Sequence, residues 1–247
     1  MNSLTNTICK LCLRERRLQQ SHIIPEFLYR PLYGPTHQIR SVNQDMPRIR
    51  FLRKGLREAL LCADCECLVG RYETYFSNLW YGAHGLQSEI PAGVSIIMSG
   101  LDYAQFKLFH LSILWRASVS TLEEFSSVAL GPHEERFRKI ILTGDPGEPK
   151  EYRLAASVVL RPNSLEVHGG VIGVPTRARH AGGWMYNSVY AGCIGHCFVS
   201  RSMPDGIDVL QKDGTLCMTA LDLRNAPMLS NMLTRSATAR RKSDHAQ

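Results

Sequence analysis

Three short motifs near the start of the chain decide its fold: CKLC at 9–12, SHIIP at 21–25 and LLCADCE at 60–66. In a Cys-x-x-Cys pair, the two-residue gap lets both thiolates face one metal ion from a tight turn. The pairs Cys9/Cys12 and Cys62/Cys65 therefore predict a single four-thiolate site with structural Zn²⁺ as its cofactor. The 49 residues between the pairs exceed the usual zinc-ribbon interval, so ordinary buried cysteines stay open as the alternative.

The residues from 21 to about 79 predict two extended segments and two helices. Pro25 pushes the residue before it into extended geometry, so His22 belongs to a strand or its edge. A helix follows over 26–32, and alternating basic and apolar residues over 48–54 indicate a second strand. From 64 to about 79, apolar residues recur at three and four positions, which is typical of a helix with one buried stripe.

The positive charge of the chain is concentrated in its first 60 residues. That segment holds eleven Lys and Arg against four Asp and Glu, so the whole formal charge of +7 arises there. A basic region that coincides with a metal motif is typical of a phosphate-binding surface. The predicted contacts to nucleic acid are Arg48, Arg50, Arg53, Lys54 and Arg57. A solvated basic face without a partner is the alternative.

A run of glycines and a proline around 82–93 is the best candidate boundary within the chain. A zinc-bound module is therefore predicted at 1–82 and a second region at 93–234. In that region, Asp102 is placed to cap a long apolar helix through Ser118, and a shorter helix follows over 134–142. Strand-like runs then occupy 152–160, 165–173, 184–192, 197–201, 207–211 and 215–220. They predict a mostly antiparallel sheet, and 235–247 reads as a disordered basic tail.

The composition predicts a soluble, cytoplasmic protein. At 44% hydrophobic residues the chain can bury a core. No apolar run of signal-peptide type precedes Cys9, and no stretch reaches the roughly 18 apolar residues of a membrane span, so no membrane partner is expected. The eight cysteines are then thiols or metal ligands rather than disulfides. Cys193, His196 and Cys197 resemble a second metal site only superficially, because strand spacing separates them.

The order of the three motifs resembles that of the zinc-stapled HNH, or ββα-metal, endonucleases. The usual pattern of that family is a cysteine pair, Asp-His-Ile-x-Pro, an asparagine, and a helix that opens with Leu-Cys-x-x-Cys-His. The resemblance covers about the first quarter of the chain. It implies an α+β protein with an N-terminal zinc-stapled ββα-metal-like module, followed by the larger region of helices and mostly antiparallel sheet.

The resemblance also implies catalytic roles for individual residues. In that family, the histidine after the aspartate takes a proton from the attacking water, while a divalent metal such as Mg²⁺ stabilises the scissile phosphate. By position, His22 is the general base and Glu66 stands at the last histidine, with Glu73 two turns further along the same helical face. Ser21 replaces the aspartate, and a hydroxyl binds Mg²⁺ less well than a carboxylate. Arg57 or a neighbour replaces the asparagine.

Three functions remain open from the sequence. The first is an HNH-like metal-dependent nuclease that hydrolyses phosphodiester bonds, with His22, Glu66 and Glu73 as catalytic residues and DNA rather than RNA as the first partner. The second is a zinc-stapled nucleic-acid-binding protein without catalysis, in which His22 only packs. The third is a protein-interaction module.

Overall fold

The computed structural model describes residues 7–33, 39–42, 49–52, 54–82, 92–180, 183–199 and 207–225, with the backbone alone at 39–42 and 49–52. It combines helices with mostly antiparallel sheets, in agreement with the α+β prediction. The helix expected near 228–234 and the tail at 235–247 lie outside the described residues.

The described elements of the N-terminal module are short strands, two α-helices and a 3₁₀ turn. In chain order they are β1 (Thr7–Ile8), β2 (Glu15–Arg16), β3 (Leu18–His22), α1 (Glu26–Tyr29), a 3₁₀ turn (Arg30–Leu32), β4 (Ile39–Val42), β5 (Ile49–Leu52), β6 (Arg57–Cys62) and α2 (Ala63–Tyr81). Three antiparallel pairs result: β1 with β2, β3 with β6, and β4 with β5. Strand β6 leads directly into α2.

Helix α2 packs through one apolar stripe. Val69, Tyr72, Phe76 and Trp80 are buried at intervals of three and four residues, which is the spacing that places side chains on one face of a helix. Pro25 stands just before α1, as its fixed φ favours. The helices predicted at 26–32 and 64–79 therefore exist, the first as a short α-helix continued by a 3₁₀ turn.

The described part of the second region holds two α-helices and one large sheet. In chain order its elements are β7 (Ser95–Met98), α3 (Tyr103–Val119), α4 (Glu134–Thr143), β8 (Leu154–Leu160), β9 (Gly173–His180), β10 (Gly183–Tyr190), β11 (Cys193–Phe198) and β12 (Leu216–Asp222), with short 3₁₀ turns at Glu123–Phe125, Gly131–His133 and Leu223–Asn225. The strand order is β7-β12-β8-β11-β10-β9. Only the β12–β8 pair is parallel, so the prediction of a mostly antiparallel sheet is confirmed.

Helix α3 is the central buried element of the protein, as its composition predicts. The Asp102 side chain caps it by accepting a hydrogen bond from the Gln105 amide at 3.0 Å. Side chains from Phe106 through Ala117 are buried in succession, and four of them are polar: Lys107, His110, Ser112 and Arg116. Such groups need partners when they are removed from water, and those partners join α3 to its surroundings.

The hairpin between β10 and β11 turns at Ala191 and Gly192, which both have positive φ (53° and 74°). Positive φ at both central residues is the geometry of a type I′ turn, which suits the twist of paired strands. The Ala191 carbonyl accepts a hydrogen bond from the Trp80 indole at 2.9 Å. This turn starts β11 at Cys193, whereas the sequence predicts the next strand only at 197.

Two predicted strands do not form as expected. Within 165–172, Val167 makes a single bridge with Leu160, and the regular strand begins only at Gly173. Gly169 and Gly170 interrupt this segment, because glycine favours turns over extended pairing. Residues 207–210 form no strand, although the Leu210 amide reaches the Leu154 carbonyl at 2.8 Å.

The core extends across the boundary predicted from the sequence. Phe76 of α2 stacks on Phe109 of α3 with a centroid distance of 3.9 Å. One continuous cluster of buried side chains runs from Cys9 in the first knuckle to Ala220 in β12. Helices from the two predicted regions therefore pack directly on one another.

Candidate metal centre and the His22 region

The first cysteine pair lies in a tight turn between β1 and β2. The Cys9 amide donates to the Arg14 carbonyl at 3.0 Å, and the Leu13 amide donates to the Cys9 carbonyl at 2.9 Å. Leu13 takes a left-handed conformation with φ of 58°, which closes the turn. The Lys10 amide then binds the Leu60 carbonyl at 3.1 Å, so the turn sits against β6.

The second pair is positioned by the junction of β6 and α2. Cys62 ends the strand and Cys65 lies in the first turn of the helix. All four thiols come together: the Sγ atoms of Cys9, Cys12, Cys62 and Cys65 lie within 4.8 Å of one another. The sequence prediction that the two pairs converge is confirmed.

The geometry of the four thiols fits a zinc ion. Four sulfurs at about 2.3 Å from a tetrahedral Zn²⁺ are separated from each other by roughly 3.8 Å, and the Sγ atoms of Cys12 and Cys62 are 3.9 Å apart. The Cys62 amide donates to the Cys9 sulfur at 3.3 Å, the kind of supporting bond that orients a metal ligand. Four cysteines are thus placed to hold a metal ion such as zinc.

The surroundings of the cluster favour a bound cation. Burial raises the pKa of the Cys62 thiol and of the Cys65 thiol. Thiolates so far from water need a compensating positive charge, which a divalent metal supplies. Cys67 lies on the exposed side of α2 and does not join the group.

His22 lies at the end of β3, opposite Arg57 of β6. Its Nε2 is 2.8 Å from the Lys54 carbonyl oxygen. A carbonyl only accepts, so Nε2 carries the proton and Nδ1 is the basic nitrogen. Burial lowers the pKa of His22, and nearby Arg57 lowers it further, against the raising influence of the Lys54 carbonyl and of Glu26 and Glu73. The imidazole is therefore neutral near pH ~7.

Ser21 and Glu66 are brought together. The Ser21 hydroxyl is buried and donates to the Glu66 carboxylate, while the Leu61 amide donates to the Ser21 oxygen at 3.0 Å. These are the two positions that the HNH resemblance assigns to metal ligands. In the β3–β6 pair Ser21 lies opposite Glu58, and α2 begins directly after β6, so Glu66 in the first turn of α2 can reach back to the Ser21 hydroxyl.

Glu73 is held by a residue from the second region. Its carboxylate pairs with Arg116 of α3 at 2.8 Å, with side-chain exposures of 23% and 1%. The same guanidinium nitrogen donates to the His22 carbonyl at 2.7 Å. One buried arginine thus ties together α2, α3 and the end of β3.

The predicted catalytic residues do not share one preformed metal pocket. Among the described residues, the four cysteines are the only His, Cys, Asp or Glu group compact enough to hold an ion, so His22, Glu66 and Glu73 do not form one. Of the predicted phosphate contacts, Lys54 and Arg57 are exposed. Arg48 and Arg53 lie outside the described residues, as does the side chain of Arg50.

Three residues that fix this region were missed from sequence. Arg116 is the first, and its charge within an apolar helix was the available signal, because buried charges require partners. Glu58 is the second: its carboxylate accepts from the Ser120 hydroxyl at 2.7 Å and from the Thr121 amide at 3.0 Å. Arg138 of α4, the third, donates to the Leu11 carbonyl at 2.6 Å. No sequence pattern indicates the last two.

The fold and the cysteine cluster define the class of this protein as α+β with a compact four-cysteine metal-type site. No protein-family model matches the chain, and no curated protein or solved structure does. In the part of the chain that the structure describes, no helix combines the length and apolarity that crossing a bilayer requires.

Proposed function

We propose that the N-terminal module is an HNH-like, metal-dependent nuclease that hydrolyses phosphodiester bonds of nucleic acid, with His22 as general base. The observation that carries the proposal is the hydrogen bond from His22 Nε2 to the Lys54 carbonyl. It fixes the tautomer in which Nδ1 accepts a proton, as a general base requires. The lowered pKa of His22 keeps that nitrogen unprotonated near neutral pH.

The four cysteines give the module its shape, with Zn²⁺ as their structural ion. Glu66, supported by the Ser21 hydroxyl, is the carboxylate that would hold a divalent ion such as Mg²⁺. Mg²⁺ sites often use only one or two carboxylates and complete their shell with water and substrate phosphate, which fits a site with so few protein ligands. When bound, such an ion supplies stabilisation of negative charge at the scissile phosphate.

The remaining residues would position the substrate and the base. Arg57 lies opposite His22 in the β3–β6 register and is exposed, which supports a role for it in contacting a phosphate near the attacking water. Lys54 is exposed as well, and Arg48, Arg50 and Arg53 extend the basic sequence. Glu73 acts through Arg116, which holds the backbone at His22. The expected partner is nucleic acid, with DNA preferred over RNA.

A second candidate is a zinc-stapled module that binds nucleic acid without cleaving it. The observation that favours it is the engagement of Glu73 by Arg116, together with a serine at the position of the family aspartate. In this case Lys54 and Arg57 supply affinity for nucleic acid, and His22 only orders the end of strand β3.

Cleavage assays on the full chain separate the two candidates. Single- and double-stranded DNA and RNA are incubated with the protein in Mg²⁺, Mn²⁺ or Zn²⁺. Loss of a general base slows a reaction by about 10²–10⁴-fold, so His22→Ala should reduce cleavage to that extent while leaving binding intact. His168→Ala, a half-buried histidine in the second region, is the matched control and should leave cleavage unchanged. If the wild-type protein cleaves none of these substrates with any of the ions, the nuclease proposal is wrong.

Binding measured against salt tests what both candidates share. On duplex DNA the logarithm of affinity should fall with the logarithm of salt concentration by about 0.9 per phosphate contacted. Lys54→Ala with Arg57→Ala should reduce that slope by up to about two such contacts. Steep salt dependence without cleavage would favour the second candidate. Absent or salt-independent binding would contradict both candidates.

A further inference from the structure

The large sheet has a pocket on the face opposite the one that α3 packs against. Tyr186 and Tyr190 of β10 point to the helical side, where their hydroxyls bind the Ala129 carbonyl and His110. Asn187, between them in sequence, faces the other way. On that outer face, a cavity of about 270 Å³ is lined by residues of β8, β9, β10, β11 and β12 and by 207–208.

Three polar side chains, linked by hydrogen bonds, lie in a row across this face. His196 Nδ1 lies 2.7 Å from the Asn187 amide oxygen, and His196 Nε2 lies 3.2 Å from the Ser157 hydroxyl. Because the amide oxygen only accepts, Nδ1 carries the proton and Nε2 accepts from the serine. Nucleophile, base and orienting group therefore follow one another in the order that activates a hydroxyl.

The three hydrogen-bonded side chains are both ordered and accessible. Asn187 is buried at 8% exposure, whereas Ser157 and His196 are half-buried and line the cavity. Burial, and to a smaller extent the neighbouring His180, lowers the pKa of His196 to about 4. The imidazole is thus a neutral proton acceptor at physiological pH.

We propose that this cavity is a second, independent site in which Ser157 is a nucleophile toward small uncharged carboxylic esters. The size limits the substrate to a short acyl group, since drug-sized ligands occupy pockets of roughly 300–1,000 Å³. Among the described residues that line the cavity there is no Lys or Arg to match an anion, and Asp208 lies at its edge. Met185 and Phe198 supply the apolar surface for the acyl chain.

The reaction balances with water as the only co-reactant. Ser157 Oγ forms a bond to the ester carbonyl carbon while its proton passes to His196 Nε2. The carbon–alkoxide bond then breaks, and the same proton leaves with the alcohol. Water, deprotonated by His196, releases the carboxylic acid and restores the hydroxyl.

Stabilisation of the developing oxyanion falls to side chains. Strand β8 is paired on both sides, by β11 and β12, so its amides are used in the ladders. The side-chain donors beside Ser157 are the Thr219 hydroxyl, whose residue pairs with Ser157 across β12 and β8, and the His180 imidazole, which also lines the cavity. This arrangement predicts modest activity compared with sites that use backbone amides.

Labelling with a fluorophosphonate probe tests the nucleophile directly. The full chain is treated with the probe, and the adduct is located by intact-mass and peptide mass spectrometry. One adduct per chain is expected on Ser157, and Ser157→Ala should remove it. Ser188→Ala, which changes a buried serine of β10 on the opposite face of the sheet, should label like wild type. Absence of labelling, or labelling that persists in Ser157→Ala, overturns the proposal.

The labelling rate separates activation from mere exposure of the serine. His196→Ala should slow labelling by at least about 100-fold, and Asn187→Leu should slow it less while leaving Ser157 as the labelled residue. Thermal unfolding of each variant shows whether its fold is kept. A folded His196→Ala protein that labels at the wild-type rate would overturn the proposal. Ser157→Ala should cleave nucleic acid as wild type does, so the outcome is independent of the nuclease proposal.

Discussion

The N-terminal module and the six-stranded sheet are built on different physical principles. Among the described strands of the module, β3 and β6 form a two-stranded sheet, and so do β1 and β2. An isolated pair of strands is marginally stable in water. In the sheet, β8 is paired on both sides and backed by α3. The module therefore depends on its cysteine cluster and on side chains from elsewhere, whereas the sheet depends on its ladders and apolar core.

Three side chains join the module to the second region, two of them from the second region and one from the module. Arg116 of α3 binds the His22 carbonyl, Arg138 of α4 binds the Leu11 carbonyl, and Glu58 of β6 binds residues just after α3. Each of these bonds joins segments far apart in the chain. The comparison teaches that the module is held in place by α3 and α4 as well as by its cysteine cluster.

Loss of the cysteine cluster should have the largest effect and should fall on the module alone. A structural Zn²⁺ contributes on the order of 10 kcal/mol to the folding of a small module. Cys62→Ser should lose bound zinc and amide-exchange protection in β3 and β6, while β8 and β11 stay protected. Metal analysis and hydrogen exchange by mass spectrometry measure both. Cys67→Ser, an exposed cysteine on the same helix, is the control. Full zinc content in Cys62→Ser would contradict the site.

Breaking the link between the two regions should come next. Removal of one partner from a buried ion pair costs about 3–5 kcal/mol. Arg116→Met leaves Glu73 and the His22 carbonyl without their donor, so it should lower the free energy of unfolding by about 3 kcal/mol, given the partial exposure of Glu73. Urea unfolding measures this.

The matched control for Arg116 is an exposed ion pair. Lys212 and Glu148 are 2.5 Å apart with exposures of 61% and 52%, and such pairs contribute less than about 1 kcal/mol. Lys212→Met should therefore change stability little. Equal losses in Arg116→Met and Lys212→Met would show that α3 does not support the module.

The core beneath the sheet should respond to acid through His110. Burial lowers the pKa of this imidazole from 6.5 to about 3. Below pH 6.5 His110 is protonated in the unfolded chain but stays neutral in the folded core. The free energy of unfolding is therefore at its full value above pH 6.5 and decreases as the pH falls toward about 3. The slope reaches about 1.4 kcal/mol per pH unit for one group. His110→Gln should flatten it by up to one proton in urea unfolding between pH about 7 and about 5. The slope from His196 remains in this variant, and an unchanged total slope would contradict the assignment.

The smallest expected effect is at the start of α3. Asp102→Ala removes the capping bond to Gln105 and should cost about 1 kcal/mol, whereas Asp102→Ser should retain most of it. The melting temperature of each variant measures the difference. Because α3 supports both regions, β3 and β8 should lose protection together. Loss confined to one of them would show that α3 supports only that region.

The parts of the fold that sequence predicted are those encoded by local spacing. The cysteine pairs, the buried stripe of α2 and the Asp102 cap each involve residues within a turn or two of one another. The hairpin at Ala191 and Gly192 was missed because its first residue is not one of those that usually adopt positive φ. The strand expected at 165–173 failed at its two glycines.

By itself, the sequence determined the four clustered cysteines, the central apolar helix and the sheet class, since motif spacing, composition and periodicity specify these directly. The tertiary structure alone decided that Arg116 holds Glu73 and the His22 carbonyl, and that Ser157 lies beside His196, 39 residues away. Such contacts depend on the register of strands and the packing of helices. No local pattern specifies them, because one residue of slip in a strand would turn each side chain to the opposite face.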